Sequence, residues 1–169
     1  MNVIIFGLPG SGKTCFARKL SSKINALHIS SDTIRHQLKQ GDKKYQEQSK
    51  SEVYEEMLRL MEKAVLNKQN VVLDATFYRS AIRNSFKEKA QRLNTSLYFI
   101  EIKADESVVR ERIKAKRQES DADFKVYLQI KKVFEPFNER HLVLYSDKNT
   151  LEEMLNEALT YINYSDGTS

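Results

Sequence analysis

Short apolar runs alternate along this chain with longer segments in which apolar residues recur every three or four positions. The short runs are typical of strands buried in a parallel sheet, and the longer pattern is typical of helices with one apolar face. The pattern predicts strands at 2–6, 26–29, 71–74, 97–102 and 142–145. It predicts helices at 13–24, from Asp32 onward, at 53–65 and 82–93, from after Asp105 through the basic residues of 110–117, and at 124–134 and 151–162.

The regular order of strands and helices favours an α/β fold, with an open five-stranded parallel sheet and helices on both faces. We find no repeat, linker or low-complexity tract, so residues 1–169 are predicted to form a single domain. The stretch 40–51 is polar and has no helical periodicity, so it is predicted to be a loop. Pro136 is expected to end the helix before the last strand, and 165–169 are expected to fray.

Residues 7–14 read Gly-Leu-Pro-Gly-Ser-Gly-Lys-Thr, directly after the first strand and at the start of the first helix. This is the G-x-x-x-x-G-K-[ST] pattern of a phosphate-binding loop, in the strand–helix setting that gives the pattern meaning. The glycines allow successive N–H groups to point at phosphate oxygens, and the helix N-terminus adds positive potential. The residues predicted to hold the nucleotide are Gly7, Leu8, Pro9, Gly10, Ser11, Gly12, Lys13, Thr14 and Cys15.

Within this loop, Lys13 is expected to contact the β and γ phosphates and Thr14 to ligate Mg²⁺. The alternative is a glycine-rich turn without a ligand. Cys15 is the single cysteine, which excludes an internal disulfide and fits a reducing cytosol. We interpret its side chain as a small packed group rather than a reactive thiol.

Two acidic residues follow strands of the predicted sheet, and ligands of such sheets bind beyond the carboxyl ends of the strands. Asp32 is expected to be the general base that accepts the proton of an acceptor hydroxyl, and Arg35 to hold an anionic group of that acceptor. The alternative is a helix cap with an i,i+3 salt bridge. Asp74 is expected to bind Mg²⁺ or the acceptor, and its alternative is a cap or a hydrogen-bonded turn.

Basic residues concentrate at 110–117, ahead of the helix at 124–134. A mobile arginine that closes over the transferred phosphoryl group stabilises its negative charge. We therefore predict a helical lid at roughly 110–124, with Arg112 and Arg117 as the phosphate-contacting residues and Arg110 as the third choice. The alternative is a solvated basic face.

The net charge of +5 suits a polyanionic partner, but a protein that handles ATP also needs positive charge, so it discriminates weakly between acceptors. No apolar run approaches the roughly 20 residues that cross a bilayer. A strand that begins at Asn2 leaves no room for a signal peptide, so the protein is expected in the cytoplasm, away from membranes. The histidines, His28, His36 and His141, have no metal-ligand spacing and are interpreted as structural or surface residues.

The phosphate loop, Asp32-x-x-Arg35, the 71–76 strand end and the basic lid running into 120–123 together resemble a known family. The chain is similar to the small P-loop kinases grouped with the kinase domain of polynucleotide kinases, often labelled predicted kinases or AAA-type ATP-binding proteins. Zeta-toxin and chloramphenicol phosphotransferase kinases are more distant relatives. The resemblance covers roughly 2–145 and implies a P-loop NTPase fold like that of nucleoside monophosphate kinases.

The resemblance also implies transfer of the ATP γ-phosphate to a hydroxyl, with Mg²⁺ present. Lys13 and Thr14 would then serve nucleotide and metal, Asp32 would be the base, Arg35 would engage an acceptor phosphate, and a lid arginine would hold the β and γ phosphates. The family's lid arginines are expected four residues apart. Here Lys116 follows Arg112 at that distance and Arg117 is adjacent, so the identity of the phosphate-holding arginine stays open.

The leading hypothesis is therefore an ATP-dependent kinase that acts on a polynucleotide 5′-OH or a small hydroxylated molecule, with no obligate protein partner evident. One alternative is a P-loop ATPase or nucleotide switch, which leaves Asp32-x-x-Arg35 unexplained. Another is a non-catalytic nucleic-acid-binding module, against which the intact Lys13-Thr14 pair speaks. The acceptor is not readable from the chain. Its determinants are expected in 36–60 and 76–83, where Phe77 and Tyr78 are candidates to line an acceptor pocket.

Overall fold

The computed structural model describes residues 1–41, 50–116 and 120–166, and within them strands and helices alternate in chain order. The strands are β1 (Asn2–Phe6), β2 (Ala26–Ser30), β3 (Asn70–Asp74), β4 (Leu97–Lys103) and β5 (Leu142–Tyr145). The helices are α1 (Lys13–Lys23), α2 (Ser31–Gly41), α3 (Lys50–Leu66), α4 (Ser80–Arg92), α5 (Glu106–Lys116), α6 (Ser120–Val133) and α7 (Leu151–Asp166). None of these helices is both long and apolar enough to cross a bilayer.

The five strands form one parallel sheet in the order β2-β3-β1-β4-β5, which confirms the predicted fold class. β1 lies at the centre, between β3 and β4, and all its residues are buried. Alternate residues of β1 enter different cores: Ile4 and Phe6 belong to one apolar cluster, Val3 and Ile5 to the other. A strand covered on both faces needs a continuous apolar run, and this is why the apolar run at the start of the chain predicted a buried strand.

The two faces of the sheet are covered by different helices. Ile34 of α2, Met57 of α3, Phe86 of α4 and Ile130 of α6 pack into the first cluster. The helices α1 and α7 supply the second cluster with the residues Phe16, Ala17, Leu20, Met154, Leu155, Ala158 and Ile162. The carboxyl edge of the sheet is left between these two layers, and the phosphate loop lies there.

Three predicted boundaries are wrong. The stretch predicted as a loop at 40–51 is helical at both ends, since α2 continues to Gly41 and α3 begins at Lys50, while 42–49 lie outside the described residues. Polar residues such as Gln and Lys are good helix formers that leave no apolar period to read. The helix α6 begins at Ser120 rather than 124, and α7 continues to Asp166, into the stretch expected to fray.

Candidate active site

The phosphate loop joins β1 to α1 in backbone conformations that favour glycine. Gly7 and Gly10 have φ values of 134° and 76°. A Cβ atom on Gly7 would clash with the carbonyl oxygen of Ile102, and one on Gly10 would lie 2.8 Å from Cγ1 of Val109. The absence of side chains therefore lets the loop lie directly against β4 and α5.

Lys13 is buried at the start of α1, and its Nζ donates a hydrogen bond of 2.7 Å to the carbonyl oxygen of Leu8. Burial lowers the pKa of Lys13 to about 8, although the nearby carboxylates of Asp74 and Asp32 act in the opposite direction. A buried ammonium group is poorly screened by water, so its charge acts strongly on a phosphate that binds beside it.

A cavity of about 780 Å³ opens at the carboxyl edge of the sheet, a volume that accommodates a nucleotide-sized ligand. Its centre is formed by Gly10, Gly12, Lys13, Thr14 and Asp74. We call β3 arm the part of the lining carried by α2, α3, α6 and the turn after β3, which consists of Asp32, Arg35, Val53, Tyr54, Thr76, Tyr78, Val126 and Ile130. We call β5 arm the part carried by α5, α7 and the segment after β5, which consists of Arg112, Ile113, Ser146, Asn149, Leu151 and Met154.

The predicted nucleotide-holding residues divide into two groups around this cavity. Those that line it are Pro9, Gly10, Gly12, Lys13, Thr14 and Cys15. Gly7, Leu8 and Ser11 lie behind them and support the loop. The interpretation of Cys15 as a packed side chain is wrong: it is exposed and free, because its place in the first turn of α1 faces the cavity and not the sheet.

Asp32 and Arg35 both line the cavity and form the i,i+3 ion pair that was the structural alternative for them. Arg35 Nη1 donates to Asp32 Oδ1 at 2.8 Å, and the two side chains are 45% and 76% exposed respectively. An exposed pair of this kind contributes little stability. Asp32 or Arg35 can therefore leave the salt bridge to bind a ligand with little loss of free energy. The salt bridge is thus compatible with a role in binding.

Asp74 ends β3 with its side chain only 3% exposed. Its Oδ2 has no hydrogen-bond partner and lies 3.6 Å from His28 Nε2, so His28 packs partly buried against a predicted site residue. A buried carboxylate oxygen without a partner, on a residue that lines the same cavity as Thr14, fits the oxygen ligands of Mg²⁺. Among the described residues, no three His, Cys, Asp or Glu side chains cluster as a metal site. Such a cluster is not required, because Mg²⁺ in kinases is held largely by phosphates and water.

Of the arginines predicted for the lid that the structure describes, Arg112 lines the cavity. Its Nη1 and Nη2 donate to Oγ and the carbonyl oxygen of Ser146, each at 2.8 Å, and Ser146 Oγ donates to the carbonyl oxygen of Ser11 at 2.6 Å. Arg110 instead lies over the ring of Phe124, at 4.8 Å from its centre. Arg117, and the lid prediction at 117–119, lie outside the described residues.

Sequence reasoning missed Tyr54 and Ser146 as site residues. The Tyr54 hydroxyl lies 3.2 Å from Thr76 Oγ1 and accepts a hydrogen bond of 3.1 Å from the N–H of Phe77. Phe77 is fully buried in the core, so of the pair predicted to line an acceptor pocket only Tyr78 does so. Ser146 directly follows β5, and the strand-end argument used for Asp32 and Asp74 would have found it. No sequence signal marks Tyr54.

The comparisons with known proteins agree with this geometry. The model of the AAA domain family matches residues 3–137, so the chain belongs to this family. The sequence has no match among curated proteins.

Three solved structures show the same fold. An APS kinase of Mycobacterium tuberculosis, in complex with AMPPNP and APS, has a TM-score of 0.73 at 18% identity, covering 96% of both chains. A sugar kinase from Janibacter sp. has a TM-score of 0.72 at 14% identity, covering 96% of this chain and 94% of that one. A gluconokinase from Sinorhizobium meliloti has a TM-score of 0.66 at 18% identity, covering 94% and 89%. The chain therefore has the fold of a P-loop kinase.

Proposed function

We propose that this member of the AAA domain family transfers the γ-phosphate of ATP to a hydroxyl group of an acceptor molecule. The observation that carries the proposal is the position of Asp32: an exposed carboxylate lines the same cavity as the phosphate loop and Lys13, on the β3 arm. An enzyme that transfers phosphate only to water needs no further space in the cavity beyond its general base. An arm of the cavity on the far side of Asp32 gives an organic acceptor a place to bind.

In the proposed reaction, ATP lies with its phosphates on the loop amides and Lys13, and its nucleoside along the β5 arm. The acceptor hydroxyl gives its proton to Asp32 while its oxygen attacks the γ-phosphorus. The new oxygen–phosphorus bond forms as the bond to the β–γ bridging oxygen breaks, and ADP leaves. Lys13 and Arg112 stabilise the negative charge spread over the transferred group.

Arg35 and the metal ligands have supporting roles in this proposal. Arg35 exchanges its bond to Asp32 for an anionic group of the acceptor, which its planar fork fits better than a lysine would. Thr14 and Asp74 would hold Mg²⁺, which, when bound, neutralises charge on the phosphates. The function is proposed for a single domain in the cytoplasm that needs no protein partner. The two acceptor classes are a polynucleotide 5′-OH and a small hydroxylated molecule. The kinase relatives named above favour the second class.

The test is to incubate the protein with γ-labelled ATP and Mg²⁺, alone and with a 5′-OH oligonucleotide, gluconate, a panel of sugars or APS. Label on one acceptor supports the proposal and identifies the acceptor class. Release of free phosphate at the same rate in all samples indicates an ATPase. No turnover in any sample indicates a non-catalytic binding module.

Asp32→Asn tests the proposed base directly. It should lower kcat by about 10²–10⁴ while leaving ATP affinity nearly unchanged, because the amide cannot accept the proton. Asp105→Asn, an exposed substitution outside the cavity, is the matched control. Full activity or lost ATP binding in the Asp32 variant would contradict the role of base.

A further inference from the structure

A buried arginine that does not line the cavity lies behind the β3 arm. Arg83 of α4 is only 1% exposed, and burial lowers its pKa, although the carboxylates of Glu135, Glu101 and Glu139 act in the opposite direction. Burying a cation is costly unless its N–H groups find acceptors. The acceptors that Arg83 contacts therefore show which parts of the fold it stabilises.

The guanidinium of Arg83 binds main-chain carbonyls from two distant segments of the chain. Nη1 donates to the carbonyl oxygen of Phe77 at 2.7 Å, and Nη2 donates to those of Glu135 and Pro136, each at 3.0 Å. The ring of Phe137 covers the guanidinium, with 5.1 Å between Cζ and the ring centre. One side chain thus joins the turn that follows β3 to the segment that follows α6.

Glu135 joins the same two segments a second time. Its Oε2 accepts hydrogen bonds from the N–H and Oγ of Ser80, at 2.6 and 2.5 Å. Its own N–H donates to the carbonyl oxygen of Tyr78 at 2.8 Å. Phe77, between these contacts, has a φ of 44°, a conformation that costs free energy in a bulky residue and persists only where its surroundings hold it.

Both of the joined segments supply walls of the β3 arm. The turn after β3 carries Thr76 and Tyr78, and α6 carries Val126 and Ile130 and ends just before Glu135. Arg83 lies outside the cavity, so it cannot touch a ligand there. Its contacts instead fix the spacing between the turn after β3 and the end of α6, and these two segments do line the cavity.

We propose that Arg83 is a positioning residue for the acceptor, which sets the width of the β3 arm by holding the Thr76–Tyr78 turn against the end of α6. This inference rests on the proposed function, in which the acceptor occupies that arm. Loss of the Arg83 contacts should change acceptor binding more than nucleotide binding. The guanidinium holds the turn after β3 and the segment after α6, and the phosphate loop meets that turn through a long bond of 3.5 Å from the Gly7 N–H to the Thr76 carbonyl oxygen.

Arg83→Lys is the decisive variant, because it keeps the charge but cannot reach both segments with a planar fork. Its KM for whichever acceptor of the panel above the wild-type protein phosphorylates should rise about tenfold, the loss expected for one charged hydrogen bond. Its kcat and its Kd for AMPPNP should stay within about threefold of wild type, well inside the change of one hydrogen bond. Arg92→Lys, on the exposed face of the same helix, is the matched control and should change nothing.

A structural readout accompanies the kinetics and does not need an acceptor. Amide hydrogen exchange in Arg83→Lys should increase at 76–80 and 126–136. It should stay at wild-type rates at 10–14, beyond the bond that the Gly7 N–H makes to the Thr76 carbonyl oxygen. If the variant does not fold, Glu135→Gln combined with Ser80→Ala breaks the surface link between the same segments and should also raise the acceptor KM.

The outcomes separate the two proposals. An unchanged acceptor KM in a folded variant, or an equal rise in acceptor KM and AMPPNP Kd, overturns the role of Arg83 alone. No transfer by the wild-type protein to any acceptor overturns the proposed function and the acceptor role of Arg83 with it.

Discussion

The two arms of the cavity are held in place in different ways. In the β5 arm, the charged group is fixed: Arg112 donates two hydrogen bonds to Ser146, and Ser146 donates one to the phosphate loop. In the β3 arm, the charged groups Asp32 and Arg35 are exposed and form an ion pair with each other. The turn after β3 is held by buried hydrogen bonds, with Arg83 outside the cavity and with Tyr54 in its lining.

This difference matches the ligands that we propose for the arms. ATP is the same in every turnover, so its site can be fixed in advance. An arginine already held in place by hydrogen bonds loses little entropy when the nucleotide binds. An acceptor must displace a salt bridge from its site, and an exposed pair is inexpensive to break. The comparison therefore predicts that substitutions in one arm change one substrate's parameters, while substitutions at the centre change both.

Apart from loss of the proposed base Asp32, the largest effect is expected at the centre. Lys13→Ala should reduce phosphoryl transfer by about 10³-fold, because a preorganised charge on the transferring phosphate is lost. Transfer of label from γ-labelled ATP measures the effect, and Lys19→Ala, exposed on the same helix, is the control. A Lys13 variant with activity within tenfold of wild type would contradict the placement of the triphosphate.

Arg112→Ala should affect the β5 arm alone. We expect kcat/KM for ATP to fall about 10²-fold, as when one donor to developing charge is removed, with the acceptor KM unchanged. Arg110→Ala is the matched control, because Arg110 lies over Phe124 and outside the cavity. If the Arg110 variant were the impaired one, the assignment of the lid arginine would be reversed.

The pKa of Lys13, about 8, predicts a pH dependence of nucleotide binding. The Kd for ATP should rise about tenfold between pH 7 and pH 9, as the buried amine loses its proton. Lys13→Arg, which stays protonated, should flatten this profile. An identical profile in both proteins would assign the titration to another group.

The lowered pKa of Lys13 also affects the free energy of unfolding, in the direction opposite to its effect on ATP affinity. Because the folded pKa lies below the ordinary value of 10.5, the unfolded chain binds the extra proton between pH 8 and 10.5. The contribution of Lys13 to the free energy of unfolding therefore increases with pH across that window, while ATP affinity decreases. Burial of the protonated amine therefore lowers the stability of the fold, and this cost diminishes as the pH rises.

The smallest effect is expected for a substitution of Ser146, which tests how Arg112 is held in the β5 arm. Ser146→Ala removes the hydroxyl that joins Arg112 to Ser11 but leaves the bond from Arg112 Nη2 to the main chain. The KM for ATP should rise about fivefold, the value of one net hydrogen bond. Ser146→Thr should retain wild-type behaviour. In combination with Arg112→Ala, the Ser146 effect should largely disappear, since the two residues act as one unit.

Local patterns in the sequence were enough for the fold and for the centre of the cavity. The parallel strands and the phosphate loop were predicted because buried strands and glycine-rich turns each leave a mark over a few neighbouring residues. Asp32 and Asp74 followed from their places at strand ends. One further signal was present: Arg83 shares the helical spacing of Phe86 and Ala90, and a charged residue on a buried helix face indicates a cation that binds buried acceptors.

The tertiary structure alone decided which side chains meet. Ser146 and Ser11 are 135 positions apart, and Arg83 and Pro136 are 53 apart, so no local period relates them. It decided between Arg112 and Arg110, which stand in the same basic run and differ only in the direction in which α5 presents them. Periodicity determines which face of an element is buried. The partners that it meets depend on how distant elements pack around the sheet, and that geometry is what gives this cavity its two different arms.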